Sequence, residues 1–243
     1  MLALLGKEIR TFLSSLIGYV VISVFLLITG LFMWIFPGDL NVMDMGYANI
    51  DTLFYVSPWV FMFLIPAVTM RSFAEEKRTG TIELLFTRPI TDLQIIMAKY
   101  FAGLLLVLIA LVPTLIYYLT VYQLGNPTGN IDHGGMWGSY AGLVFLAAAY
   151  VAIGIFSSSI TNNQIVSFLL SAILCFFMYA GFSSIGDFNL LGSFDNFVKS
   201  LGISDHYSSL SRGVIDSRDV VYFLALISIF IMLTKTVLSS RKW

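Results

Sequence analysis

Charged side chains are scarce in this chain: 13 Lys and Arg and 14 Asp and Glu make up 11% of 243 residues. A soluble domain carries about 25%. With 58% hydrophobic residues and a mean hydropathy of +0.88, the shortfall points to a chain solvated by lipid. The formal net charge of -1 leaves no basic field for nucleic acid, so no nucleic-acid partner is expected. Cys175 is the single cysteine, which excludes an internal disulfide and a thiol-rich metal site. Only His133 and His206 supply imidazole; they lie far apart in polar segments, no His-Glu-x-x-His pattern occurs, and no metal is expected. The chain also lacks a Gly-x-x-x-x-Gly-Lys-Ser/Thr loop, so no cofactor is assigned to it and any ATP must be bound by another subunit. Gly181-Phe182-Ser183-Ser184 with His206 downstream does not suit an intramembrane serine protease, which needs its histidine within a span.

What is present is apolar sequence in long runs. About 20 such residues cross a bilayer core, and six runs qualify, at 16–36, 53–70, 100–122, 137–156, 165–183 and 220–238. The fourth and fifth are read as joined by the polar turn Ser157 to Gln164. The first run exceeds the 7–15 residues of a signal-peptide core and is followed by no small-residue cleavage site, so it is read as a span. No acid or base falls mid-span, which removes the usual residues of proton relays. The expected fold is all-α and polytopic: one transmembrane domain over 1–243, with an interfacial helix at 1–15, a charged segment at 71–99 and an outer segment at 184–219. Small residues recur in the spans, including Gly103, Gly138, Gly142 and Gly154, and allow helices to approach closely.

Lys and Arg set the orientation. One set of span ends holds Lys7, Arg10, Arg71, Lys77, Arg78, Arg88, Lys99, Lys235, Arg241 and Lys242, and the other only Lys199, Arg212 and Arg218. Both termini and the 71–99 segment are therefore expected in the cytoplasm, with the chain in the cytoplasmic (inner) membrane.

The 71–99 segment gathers much of the charge. Arg71, Lys77 and Arg78 at a bilayer centre would cost roughly 8–10 kcal/mol, so they lie outside it. Ser72-x-x-Glu75 and Thr91-x-x-Gln94 fit capping boxes. Gly80 permits a left-handed break, and Pro89 stops the short run Ile82 to Phe86. The segment reads as short helices carrying a small apolar knob ringed by charge. Such a knob suits a groove on a partner; a solvated loop resting its Leu and Phe on the membrane is the alternative. Leu2 to Ser15, with Lys7, Glu8 and Arg10 among Leu4, Leu5, Ile9, Phe12 and Leu13, has the pattern of an amphipathic interfacial helix.

The run Glu75-Glu76-Lys77-Arg78-Thr79-Gly80-Thr81-Ile82-Glu83-Leu84-Leu85-Phe86-Thr87-Arg88-Pro89-Ile90, followed by Ile95-Ile96 and Lys99, resembles the signature of ABC-2 type transporter permeases, and the layout of the whole chain is similar to theirs. Within that family, Phe32 to Pro37, Tyr122 to Pro127, Leu210 to Phe223 and Leu238 to Trp243 are similar to the permease subunits of gliding-motility ABC transporters. The resemblance implies a permease without chemistry of its own that couples ATP hydrolysis on a separate cytoplasmic ATPase subunit to export or assembly. It implies a second permease copy or a paralogous membrane subunit beside it. It implies too that Glu75 to Pro89 is where the ATPase docks, Thr81 to Thr87 being the docking piece and Glu75 to Arg78 with Arg88 its charged rim. Polar candidates for an inter-subunit path are Ser57, Thr69, Thr114, Tyr117 and Tyr118. The alternative function is a membrane scaffold for a motility or secretion complex with no translocation path.

Overall fold

The computed structural model describes residues 1–83, 90–188 and 192–240, with the backbone alone at Ser193. It is all-α, with six helices long and apolar enough to cross a membrane. A twelve-residue helix α1 (Leu2–Leu13) precedes α2 (Leu16–Trp34), which Ser15 caps by accepting from Gly18 N–H. At about 1.5 Å per residue, α1 is too short to span. Then come α3 (Asp51–Thr69), the short α4 (Ala74–Arg78) and α5 (Asp92–Leu111), which continues through a 3-10 turn at Val112–Thr114 into α6 (Leu115–Leu124). α7 (His133–Ile160), α8 (Gln164–Phe176) and the terminal α12 (Ser217–Ser239) complete the spanning set. Both capping-box bonds expected at Thr91 and Gln94 are formed, at 3.3 and 3.1 Å. The six passes alternate in direction, so α1 and the C-terminal end of α12 lie at one end of the bundle.

α7 is the hub, packing on α3, α5, α8 and α12. Of its apolar stretch 78% is buried, against 22% for α2, for the α8 span and for α12. Those three instead expose Leu27, Val24, Leu169, Ile173, Val221 and Ile229, an inversion that water would penalise and hydrocarbon accepts. Close packing around α7 depends on glycine. A Cβ at Gly154 would fall 2.1 Å from Thr69 Oγ1, and one at Gly103 would sit 3.0 Å from Val151 Cγ1.

The structure departs from expectation at the end of α7. The serines at 157–159 do not turn the chain: the helix runs through them to Ile160, and only the short stretch Thr161–Asn163 connects to α8. Ser157 Oγ donates to Ile153 O (2.9 Å) and Ser159 Oγ to Phe156 O (2.7 Å), so these hydroxyls are satisfied within their own helix.

Prolines inside spans free backbone carbonyls, and the bundle supplies a replacement donor at one of them. Pro58 has no N–H to offer Phe54 O, and the buried Tyr207 hydroxyl donates there instead, at 2.8 Å. Burial pushes the Tyr207 phenol well above its ordinary pKa, keeping it neutral and able to donate. Tyr207 belongs to α11 (Ile203–Leu210), which follows α9 (Phe182–Asp187) and α10 (Asp195–Lys199) at the end away from the termini. Ile203, Tyr207 and Leu210 are buried at helical spacing. The segment carrying α11 therefore roots in the bundle, and Ser139 Oγ fastens it further by donating to Ser211 O (2.8 Å).

Behind α11 the chain turns at Gly213, where φ is +80° and a Cβ would lie 2.3 Å from Gly135 Cα. Gly213→Ala is expected to destabilise by about 1–2 kcal/mol from the left-handed backbone alone, with a backbone clash added. A thermal melt in detergent unchanged from the parent would contradict this.

Candidate functional site

The polar groups that matter most for the 71–99 segment meet where α1, α5, the C-terminal ends of α3 and α7, and α4 converge. Lys99 lies two turns into α5, flanked by buried Ile95, Ile96 and Ala98, with 1% of its side chain exposed. An ammonium has three donors, and all three are used: Glu8 Oε1 of α1 at 3.0 Å, Glu76 Oε1 of α4 at 2.9 Å and the Ser72 carbonyl at 2.6 Å. The Nζ also lies 5.1 Å from the centroid of the Phe73 ring, a cation–π distance. Two carboxylates on one lysine leave a negative excess, and Lys7, 3.8 Å from Glu76, offsets it.

The hydroxyl of Ser158 forms the second tie. It donates to Met70 O (3.1 Å) and accepts from Phe73 N–H (3.0 Å) and Ala74 N–H (3.1 Å). One donor and two acceptor lone pairs are thus all engaged. The expected Ser72–Glu75 capping box does not form: Phe73 is the N-cap of α4, with no side-chain cap of its own. Ser158, from another helix, takes that role because the chain bends at 70–73 and aims these N–H groups at α7. Lys77 Nζ donates to Ser159 O in the last turn of α7, where helix carbonyls lack partners and the dipole favours a cation.

Glu76 is buried and Lys77 turns toward α7, while Glu75 and Arg78 pair with each other at 2.8 Å on the outside. Thr79 Oγ1 donates to Glu75 O (2.9 Å) and lies 2.9 Å from Thr81 Oγ1, and Gly80 makes the break with φ of +71°. Ile82 is buried and Glu83 exposed. Leu84, Leu85, Phe86, Thr87, Arg88 and Pro89 lie outside the described residues. The structure therefore shows how the root of the expected docking segment is held and leaves its tip out.

The five pathway candidates are scattered. Ser57 is fully buried with its Oγ unpartnered, Thr69 Oγ1 donates to Ile65 O, and Thr114 bonds Leu111 O and Tyr140. Tyr117 donates to Leu26 O (3.0 Å) against Gly30, and Tyr118 lies 2.6 Å from His133 Nδ1. Among the described residues no hydrogen bond joins any two of them.

Sequence reasoning named Lys99 and Glu8 only as parts of patterns and passed over Ser158. One signal was there. Lys99 falls inside a helix among apolar neighbours, and an ammonium in that setting demands acceptors from elsewhere in the chain. Nothing in the sequence pairs Ser158 with residues 70–74. At the other end, His206 places both ring nitrogens against acceptors, Asp219 Oδ1 at 2.7 Å and Ser200 O at 2.9 Å, and stacks on Tyr222 at 3.9 Å. Both ring nitrogens are engaged, and the cluster ties α11 to α12.

Six passes around a buried hub, with apolar outer faces, define a multi-pass α-helical membrane protein. The family model of the ABC-2 family transporter proteins matches residues 39–202, more than half of the chain, and the chain belongs to that family. The match takes in Glu76, Lys99 and Ser158. No curated protein matches the chain. Membership makes it a transmembrane subunit of an ABC transporter: a component seated in the bilayer that is not itself catalytic, ATP hydrolysis being done by a separate subunit.

Proposed function

We propose that this chain is the permease of an ABC exporter in the cytoplasmic membrane, with both termini cytoplasmic, and that Glu75 to Pro89 receives the stroke of the ATPase. The orientation rests on the Lys and Arg excess at the termini end. The coupling role rests above all on one observation: α4 is fixed to three spans at once, to α5 through Lys99 and to α7 and the end of α3 through Ser158. A surface that transmits force must be rigidly joined to what it moves, and a solvated loop would have no such ties. Glu75 and Arg78 form the exposed part of the rim, Glu76 and Lys77 its anchorage. A second copy or a paralogous membrane subunit completes the transporter. The link to gliding motility rests on the similarity of four stretches in the spans, the outer segment and the C-terminus.

Leu84 and Leu85 lie at the centre of the expected knob. Replacing both with Asp is expected to abolish permease-dependent modulation of the partner's ATPase while the chain remains inserted and folded. Normal modulation in that variant would remove the coupling role. Identification of the co-purifying subunits distinguishes a homodimer from a heteromer and tests the motility assignment.

A further inference from the structure

Beside the Lys99 cluster, between α1, α3, α4 and α5, lies a cavity of about 490 Å³. Part of its lining is apolar, with Ile17, Val68, Ala102 and Leu106, and part is charged with both signs. Lys7, Arg71 and Arg78 stand there together with Glu8, Glu75 and Glu76.

Most of these charges are engaged with one another, but two groups are not. Arg71 has no hydrogen-bond or ion-pair partner among the described residues, and its neighbours leave it exposed. Glu76, with 10% of its side chain exposed, spends Oε1 on Lys99 while its Oε2 is buried without a donor. An exposed guanidinium with no internal partner is free to bind an anion, and an orphaned buried carboxylate oxygen calls for an N–H or O–H. Both groups belong to the wall of one cavity.

The occupant that answers all three features carries a phosphate, an N–H donor and hydrocarbon. We propose that this cavity holds an aminophospholipid of the phosphoethanolamine class. Its phosphate faces Arg71 and Lys7, its ammonium faces the carboxylates of Glu8, Glu75 and Glu76, and its chains run along the apolar wall between α2, α3 and α5. The position agrees. The lining takes in Phe12 and Ser15, where α1 meets α2, and Arg71, just past the end of α3, so the cavity lies at span ends, the level at which headgroups sit. A phosphatidylglycerol headgroup offers O–H donors but no cation, and so adds net negative charge beside three carboxylates. A choline headgroup carries a cation without N–H. The lipid would brace α1 against α4, so its loss would loosen the same helices that Lys99 joins.

The test uses the full chain in nanodiscs of matched acyl composition, with ethanolamine, monomethyl, dimethyl and choline headgroups in series and phosphatidylglycerol as the anionic comparison. Retained lipid is read by native mass spectrometry and stability by thermal melting. Retention and Tm should fall stepwise along the methylation series as N–H donors are lost, with phosphatidylglycerol below ethanolamine. Arg71→Gln should weaken retention about tenfold, the worth of a charge-assisted hydrogen bond, and Arg71→Lys should restore most of it. Glycerophosphoethanolamine and inorganic phosphate should not displace the bound lipid at millimolar concentration, because neither occupies the apolar wall. Equal retention of all headgroups, phosphatidylglycerol equal to ethanolamine, or displacement by phosphate alone would each overturn the proposal. The lipid series in the unmutated chain decides the matter even where the Arg71 variants fold poorly. Its outcome is independent of the coupling role, since retention is read without ATP or the partner.

Discussion

Lys99→Met is expected to destabilise the bundle by about 3–5 kcal/mol, the effect of removing one member of a buried, hydrogen-bonded ion cluster. The shape of the side chain is nearly kept, so the loss is electrostatic. Glu76, 10% exposed, would keep its charge with only the solvent-exposed Lys7, 3.8 Å away, against it, and the Ser72 carbonyl would lose its donor. The cost should be largely recovered in Lys99→Met with Glu76→Gln and Glu8→Gln, because neutral amides bury more cheaply than unpaired carboxylates. That recovery separates an ionic tie from simple packing. Recovered stability with permanently lost control of the ATPase would mean that the cluster transmits as well as holds. A single Lys99→Met variant that melts with the parent would show that the cluster does not hold the bundle. High salt should do little to the parent here, since Lys99 is 1% exposed and buried pairs are weakly screened.

The architecture was legible because membranes impose coarse rules. Lengths of apolar sequence and the placement of 27 charges suffice to lay out six spans. Boundaries were less legible wherever a polar residue could bond its own helix. Ser157 to Ser159 read as a turn from polarity and instead extend α7: Ser157 and Ser159 bond carbonyls of their own helix, while Ser158 bonds Met70 O and the N–H groups of Phe73 and Ala74. Thr91 and Gln94 read correctly because a capping box is local, fixed by a spacing of three. The Ser72–Glu75 spacing is the same and fails, because Ser158, 84 or more residues away, offers those N–H groups a better-placed acceptor. The candidate site was thus half visible. The charged segment and Lys99 stand out in sequence, while the partners that fix them, Glu8 on α1 and Ser158 on α7, come from contacts spanning 91 and 85 residues. Spacing rules cannot reach that far.

Ser158→Ala carries the second large effect, and it bears directly on whether α4 is rigidly seated. Loss of one hydroxyl strands two buried N–H groups, those of Phe73 and Ala74, and removes the donor to Met70 O. Each stranded group costs about 1–3 kcal/mol, and water cannot replace the hydroxyl in a site where Ser158 is 0% exposed. The N-terminus of α4 should come loose from α7 while the spans, held by apolar packing around α7, stay assembled. Control of the partner's ATPase should therefore fall much further than the melting temperature. Hydrogen exchange at 73–78 should rise by more than tenfold, the free energy of at least one lost bond. Ser157→Ala is the matched control: Ser157 is just as buried, but its Oγ bonds only Ile153 O within α7, so exchange at 73–78 and ATPase control should stay at parental values. Equal effects in the two variants would show that the α4 joint does not depend on the Ser158 hydroxyl, and the rigid-seat argument for coupling would fall with it.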